Sequence, residues 1–254
     1  GYTGSELLRL IANHPDMDLG IASSRSDAGE RLSDTCDGWP DDGRVFTQLD
    51  SSGVSAHAAD AWVLALPNGV ADKWVESITA AFPDTVILDL SADYRFDPSW
   101  TYGLAERFRN QLIGARKISN PGCYATGSQL GLLPLKDSLV SEPVIFGVSG
   151  YSGAGKTPSP RNDPEVLKDN LIPYALSGHV HEKEISYQLG GEVRFMPHVA
   201  AFFRGISLTI AFNLDHATSV DELEETYKQY FKGEARIKES RDLPQVSDVQ
   251  GTPD

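Results

Sequence analysis

The sequence predicts an α/β chain: a doubly wound parallel sheet first, then an α+β region with a mixed or antiparallel sheet. Three observations carry this. Short apolar runs at residues 61–67 and 86–91 flank a helix-period run at 70–82, the alternation of a parallel sheet covered on both faces. The second half instead has strand-like runs at 144–148, 193–196 and 206–214, with two helices among them, 182–189 and 220–231. The chain has 254 residues, 40% hydrophobic and 23% charged, enough for a sizeable core and two domains.

In order, helix-spaced Leu7, Leu8, Leu10 and Ile11 follow Gly4, and His14-Pro15 stops that helix. Residues 18–23 read as a short strand ending in Ser23-Ser24-Arg25, and the polar stretch 27–43 as an irregular loop. Lys117-Ile118 leads into Ser119-Asn120-Pro121-Gly122-Cys123, and a helix follows the cysteine. Ser219 with Glu222 forms a capping box before the last helix. The change of character near Cys123 divides a dinucleotide-binding domain, 1–122, from a catalytic, substrate and oligomerisation domain, 123–254.

The formal net charge of −14 argues against nucleic acid or an anionic membrane as partner. No run approaches a membrane span. Two cysteines make neither a disulfide framework nor a zinc-ligand set, so no metal is expected and a reducing compartment is the simpler reading. The chain opens on Gly1-Tyr2-Thr3-Gly4 without a methionine and closes on a turn-like Gly251-Thr252-Pro253-Asp254. It reads as a piece of a longer protein that lacks the first strand of its sheet and its C-terminal elements.

Several residues carry candidate chemistry. Cys123 sits between a Pro-Gly turn and a helix start, where backbone N–H groups and the helix dipole favour a thiolate; the competing reading is a buried structural cysteine. Gly1-Tyr2-Thr3-Gly4 before a helix matches the end of a dinucleotide loop. Ser23, Ser24 and Arg25 stand where a NAD-binding unit places an acid, and suit the 2′-phosphate of NADP; the alternative is an ordinary polar turn. Residues 150–157 fit the P-loop pattern, yet Pro158, Pro160 and Pro164 forbid the helix that a P-loop needs. Their glycines are expected to let backbone approach a ligand or cofactor. His14, His57 and His216 sit in surface-like contexts, whereas His179 and His181 flank Val180 at a helix start and His198 follows Pro197 at a strand end. His179 and His181 are either bases kept neutral by the helix start or capping residues.

The run Ile118 to Gly127, continued through Gly131 to Pro134, resembles the active-site signature of the N-acetyl-gamma-glutamyl-phosphate reductases. Gly1–Gly4, residues 89–96, 147–155, His179-Val180-His181, Pro197-His198 and Arg204-Gly205-Ile206 agree with that family in order. The wording of residues 150–160 is most similar to the fungal branch, whose reductase is part of a mitochondrial precursor that also carries acetylglutamate kinase. The resemblance implies a Rossmann-type nucleotide domain and a semialdehyde dehydrogenase-like second domain. It also implies NADPH-dependent reduction of N-acetylglutamyl 5-phosphate to the semialdehyde and phosphate, in arginine biosynthesis and in the mitochondrial matrix. Cys123 would form a thioester and His181 or His179 would be the base. Leu66, Pro67, Ser152 and Gly153 would join the cofactor loop and Ser23–Arg25 in holding NADP(H). Arg95, Asn120, Lys156, His198 and Arg204 would bind substrate, and the chain would form homo-oligomers. The alternatives are the related acyl-phosphate reductase of lysine biosynthesis and a non-catalytic nucleotide-binding module.

Overall fold

A computed structural model describes residues 1–252. It divides into two compact units, one built from Gly1–Gly103 and Phe108–Asn120, the other from Leu104–Arg107 and the chain from Pro121 onward.

The first unit contains helices α1 (Tyr2–Ala12), α2 (Leu32–Thr35), α3 (Asp72–Ala81) and the second part of α4 (Ala105–Leu112). Its strands are β1 (Ala61–Leu64), β2 (Val86–Asp89), β3 (Thr101–Tyr102) and β4 (Lys117–Ser119). They form one sheet in the order β1-β2-β4-β3, every pairing parallel. The apolar runs that marked β1 and β2 become its core: Trp62, Leu64 and Ile87 pack with Val75 and Ile78 of α3 and with Val54 and Trp100. A four-residue strand side and one helix face thus bury each other, as a doubly wound sheet requires.

Two expectations fail here. Residues 18–23 form no ladder; Ser23 makes one parallel bridge to Thr47, backed by the Thr47 N–H to Ala22 carbonyl bond of 2.9 Å. Apolar alternation marks a segment able to pair, but a strand exists only where a neighbour runs beside it. The stretch 27–43 is also less irregular than its polarity suggests. It holds α2, and Leu32, Cys36, Trp39 and Phe46 bury a small core with Leu8 of α1. Isolated apolar residues set among acids carry no periodicity, so this satellite core is invisible to pattern reading.

The second unit contains α5 (Cys123–Leu132), β5 (Val144–Gly150), α6 (Pro164–Leu167), β6 (Leu171–Pro173), α7 (Val180–Leu189), β7 (Arg194–Ala200), β8 (Ile206–Ala211), α8 (Val220–Tyr230) and α9 (Val246–Val249). The sheet order is β6-β7-β5-β8; β5 and β7 are parallel and both outer pairings antiparallel. β7 runs through Pro197 rather than stopping before it, and His198 lies mid-strand. The Pro197 carbonyl still accepts the Tyr174 N–H at 3.1 Å, so the proline forfeits only its own donor.

One face of this sheet carries α5 and α7. α5 lies so close that a Cβ on Gly127 would come within 2.7 Å of Leu208 Cδ1. Phe195 and Val199 point to this side and are buried. The register puts Val144, Phe146, Met196, His198, Ser207 and Thr209 on the other face, which no helix of this unit covers as deeply: Val144 is 38% exposed, and Ser207 and Thr209 are exposed too.

Candidate active site

The carboxyl ends of β1 and β2 form the edge at which doubly wound sheets in general bind nucleotides. Leu66-Pro67 follows β1 there. Asn68 Oδ1 accepts the Ala92 N–H at 3.0 Å, and the Asp93 carboxylate accepts Gly69 N–H (2.7 Å) and Ala71 N–H (3.2 Å). These bonds tie the loop after β1 to the loop after β2 and hold the start of α3. α1 begins at Gly1 without a side-chain cap. Ser23 Oγ accepts the Leu49 N–H, the Ser24 hydroxyl donates to Asp27 at 2.8 Å, and Arg25 is exposed.

Asp89 ends β2 fully buried, and burial pushes its acid up despite bonds from the Ser91 hydroxyl (2.6 Å) and N–H. Arg95 is 8% exposed; Nε donates to the Asn120 carbonyl (2.9 Å) and Nη2 to the Leu90 carbonyl (3.3 Å). The Asn120 N–H donates to the Asp89 carbonyl. Arg95 therefore braces the carboxyl edge of the sheet. A guanidinium is the side chain best able to bind several carbonyls at once. The Asn120 side chain is exposed.

In the second unit Cys123 is exposed and is the first residue of α5, whose N-cap, Gly122, offers no side-chain cap. The Gly122 N–H donates to Oε1 of Glu184 at 2.8 Å. Glu184 is fully buried on α7, three residues after His181, so one carboxylate stitches the helix carrying the thiol to the helix carrying the histidine. Tyr124, beside the cysteine, is buried with its ring edge-on to His181 (5.9 Å) and Phe195 (4.8 Å) and its hydroxyl donating to the His198 carbonyl (2.7 Å).

The two histidines differ in what their rings can do. His179 is the N-cap of α7, and its Nδ1 accepts the His181 N–H at 3.0 Å. An amide can only donate, so Nδ1 holds the lone pair and neutral His179 carries its proton on Nε2. Burial keeps its pKa below the ordinary histidine value; Glu182 opposes this and Arg161 adds to it. The His181 ring packs 4.8 Å from His179 and edge-on to Tyr124.

The remaining residues divide. His198 is mid-strand, its Nδ1 3.1 Å from the Met196 carbonyl and its ring 4.4 Å from Phe146. Strand alternation thus sends its ring to the face opposite Phe195. Lys156 and Arg204 are exposed. The P-loop pattern is settled by hydrogen bonds: Gly150, Tyr151 and Ser152 donate their N–H groups to the carbonyls of Gly205, Phe202 and Phe203 at 2.9–3.0 Å. A Cβ on Gly150 would meet Phe203 O at 2.6 Å. Gly150 thus admits the backbone of Phe203 and Arg204, which corrects the expectation at that one glycine; the Ser152 N–H is engaged, and Gly153 is exposed beside it. Sequence reasoning missed Glu184, Tyr174 and Arg161. An acid inside an amphipathic helix and a cation between prolines signal nothing until their neighbours are known.

Among the described residues, no cluster of three or more histidine, cysteine or acidic side chains could hold a metal ion, and no helix is long and apolar enough to cross a membrane.

Comparison with known proteins adds three results. Residues 1–115 match the semialdehyde dehydrogenase NAD binding domain, and residues 123–254 match the semialdehyde dehydrogenase dimerisation domain. N-acetyl-gamma-glutamyl-phosphate reductase of Xanthomonas campestris pv. campestris is 49% identical over 252 residues, covering 99% of this chain and 79% of the relative. The corresponding protein of Stenotrophomonas maltophilia is 50% identical over 251 residues, with the same coverage. "Protein arg-6, mitochondrial" of Neurospora crassa is 46% identical over 260 residues, covering 99% of this chain and 29% of that protein. Among solved structures, aspartate semialdehyde dehydrogenase II of Vibrio cholerae complexed with ASA aligns over 99% of this chain and 82% of its own at TM-score 0.70 and 16% identity. The Candida albicans enzyme with NADP aligns over 89% and 73% at TM-score 0.64 and 15% identity. These likenesses are of fold.

Proposed function

The chain belongs to the semialdehyde dehydrogenases, among the N-acetyl-gamma-glutamyl-phosphate reductases, and we propose that it reduces N-acetylglutamyl 5-phosphate with NADPH through a thioester on Cys123. The observation that carries this reading is an exposed thiol at an uncapped helix start, stitched by Glu184 to the helix that presents His181.

An acyl phosphate is an activated carboxyl group that water destroys and hydride attacks poorly. The Cys123 thiolate adds to the acyl carbon, phosphate leaves, and a thioester remains. The first turn of α5 favours negative charge on sulfur and, as the carbonyl oxygen gains charge, on that oxygen as well. Bound NADPH would supply the hydride that, with a proton, takes the thioester to a thiohemiacetal on Cys123. Its hydroxyl proton passes to a base while the C–S bond breaks, giving the aldehyde and restoring the thiolate. We assign the base to His181. His179 has its one lone pair committed to the His181 amide and orients that residue.

NADPH belongs to the first unit, with the Gly1–Gly4 loop at the start of α1 as pyrophosphate site, Leu66-Pro67 at the sheet edge, and Arg25 on the 2′-phosphate. Arg204 and Lys156 are retained as substrate cations. The second unit's partly exposed sheet face, with Val144, Phe146 and Met196, supports self-association of a chain that carries a dimerisation domain. The Neurospora relative, named mitochondrial and covered over 29% of its length, supports a mitochondrial location and a longer precursor; the matrix and an acetylglutamate kinase region are what the sequence resemblance adds.

The test is to mix enzyme with acyl phosphate in the absence of reductant, quench, and locate the acyl group by peptide mass spectrometry. The adduct is expected on Cys123; adducts on another residue, or none during normal catalysis, end the proposal. Assay with the amino-adipyl phosphate analogue separates this reading from lysine biosynthesis.

A further inference from the structure

The geometry points to Arg161, on the loop between β5 and α6, as an anion-binding residue for the charged oxygens of the acyl-phosphate substrate. This rests on the reading of the site given above and adds a residue that neither motif nor likeness singled out.

The loop is built rather than slack. Asn162 knots it: Nδ2 donates to the Gly155 and Thr157 carbonyls at 2.7 Å each, and Oδ1 accepts the Ser159 N–H (2.7 Å) and hydroxyl. Asp163 then caps α6 by accepting the Glu165 N–H at 3.0 Å. Arg161 is therefore the residue immediately before a side-chain knot and two before a helix cap, on a backbone pinned at both. Its guanidinium lies over the Tyr174 ring at 4.9 Å, a cation–π placement that orients the head group while leaving its N–H edges to other acceptors.

That placement leads to the thiol's surroundings. The Tyr174 ring is 5.8 Å from His179, which is 4.8 Å from His181, which is 5.9 Å from Tyr124 beside Cys123. The Tyr174 hydroxyl lies close enough to feel Cys123, which raises its pKa, and Arg161, which lowers it, with burial the larger influence. The protein has 36 acidic side chains, yet none pairs with Arg161 among the described residues, although the guanidinium is exposed. A fixed, exposed arginine without a carboxylate, beside the nucleophile's cluster, is an acceptor's site in an otherwise repelling field.

The experiment compares R161Q and R161K with the parent in the full chain. For R161Q the KM for the acyl phosphate is expected to rise about 10- to 100-fold, the size of a lost charge-assisted hydrogen bond, with kcat and the Kd for NADPH little changed. R161K should recover part of the loss, since it keeps charge without the planar fork. In reverse, a raised KM for inorganic phosphate assigns Arg161 to the phosphoryl end, and a raised KM for the semialdehyde to the carboxylate end. A second readout does not need turnover: inorganic phosphate or N-acetylglutamate should protect Cys123 from iodoacetamide in the parent and less so in R161Q. KM within about twofold of the parent, with unaltered protection, overturns the assignment. If instead the parent fails to turn over the acyl phosphate, it is the underlying function that falls.

Discussion

Helices α5 and α7 begin in opposite ways. α5 starts at Gly122 with no side chain to cap it, and its first residue is the exposed Cys123. α7 starts at His179, whose ring accepts the His181 N–H. One terminus is held from another helix, by the Glu184 carboxylate on the Gly122 N–H; the other uses the side chain of its own N-cap to fix itself. The contrast extends across the chain. α1 also begins at a glycine without a side-chain cap, where the nucleotide loop is expected, whereas α8 closes on the Ser219–Glu222 capping box. α2 and α3 also lack a side-chain cap, so a missing cap is a condition for a ligand at a helix start and not its sign: one set of N–H donors cannot serve both a cap and a ligand.

The strongest blow to this contrast is C123S. It should lower kcat by at least about 10³-fold while leaving NADPH affinity unchanged in a fluorescence titration. Persisting turnover would mean that the uncapped start of α5 is not the reacting one. Next, H181N is expected to cost about 10²-fold or more in kcat, through loss of the acid–base group. A smaller effect separates the histidines. H179N keeps an acceptor oxygen near the Nδ1 position and should retain most activity and stability, whereas H179A should lose about 1 kcal/mol of stability with the cap. If H179N proves as inactive as H181N while fully folded, His179 is itself a proton carrier.

The depressed pKa of His179 gives this cap a pH signature. The unfolded chain binds the proton more readily, near an ordinary pKa of about 6.5, so stability is full above that value and declines as pH falls below it. Thermal unfolding measured from neutral to acid pH should show this decline in the parent and less of it in H179N. The smallest effect belongs to the other kind of cap: S219A should reduce stability by about 1 kcal/mol and leave kcat and KM unaltered.

The fold was largely legible in the sequence. β1, α3 and β2 lie where apolar runs and helix periodicity put them, because a buried parallel sheet demands those residue types on both faces. The α8 capping box was legible for the same reason: donor and acceptor are three residues apart. Cys123 at a helix start could likewise be read from Pro121-Gly122 before it. One failure was of another kind: residues 18–23 look like a strand but make a single bridge, Ser23 to Thr47. The surroundings of two site candidates were likewise beyond the sequence: the His198 ring packs against Phe146, and Arg95 binds two main-chain carbonyls.

What the sequence alone determined is local: the helices and strands that periodicity or an apolar run marks, the starts of α5 and α8, and which side chain is the candidate nucleophile. These depend on residues a few positions apart. Only the tertiary structure decided that Glu184 holds Gly122 across 62 positions, that His179 has its lone pair engaged, and that residues 150–152 meet residues 202–205 rather than a phosphate. The reason is physical: a polar group's role is set by which partner satisfies it, and that partner is chosen by packing rather than by distance along the chain.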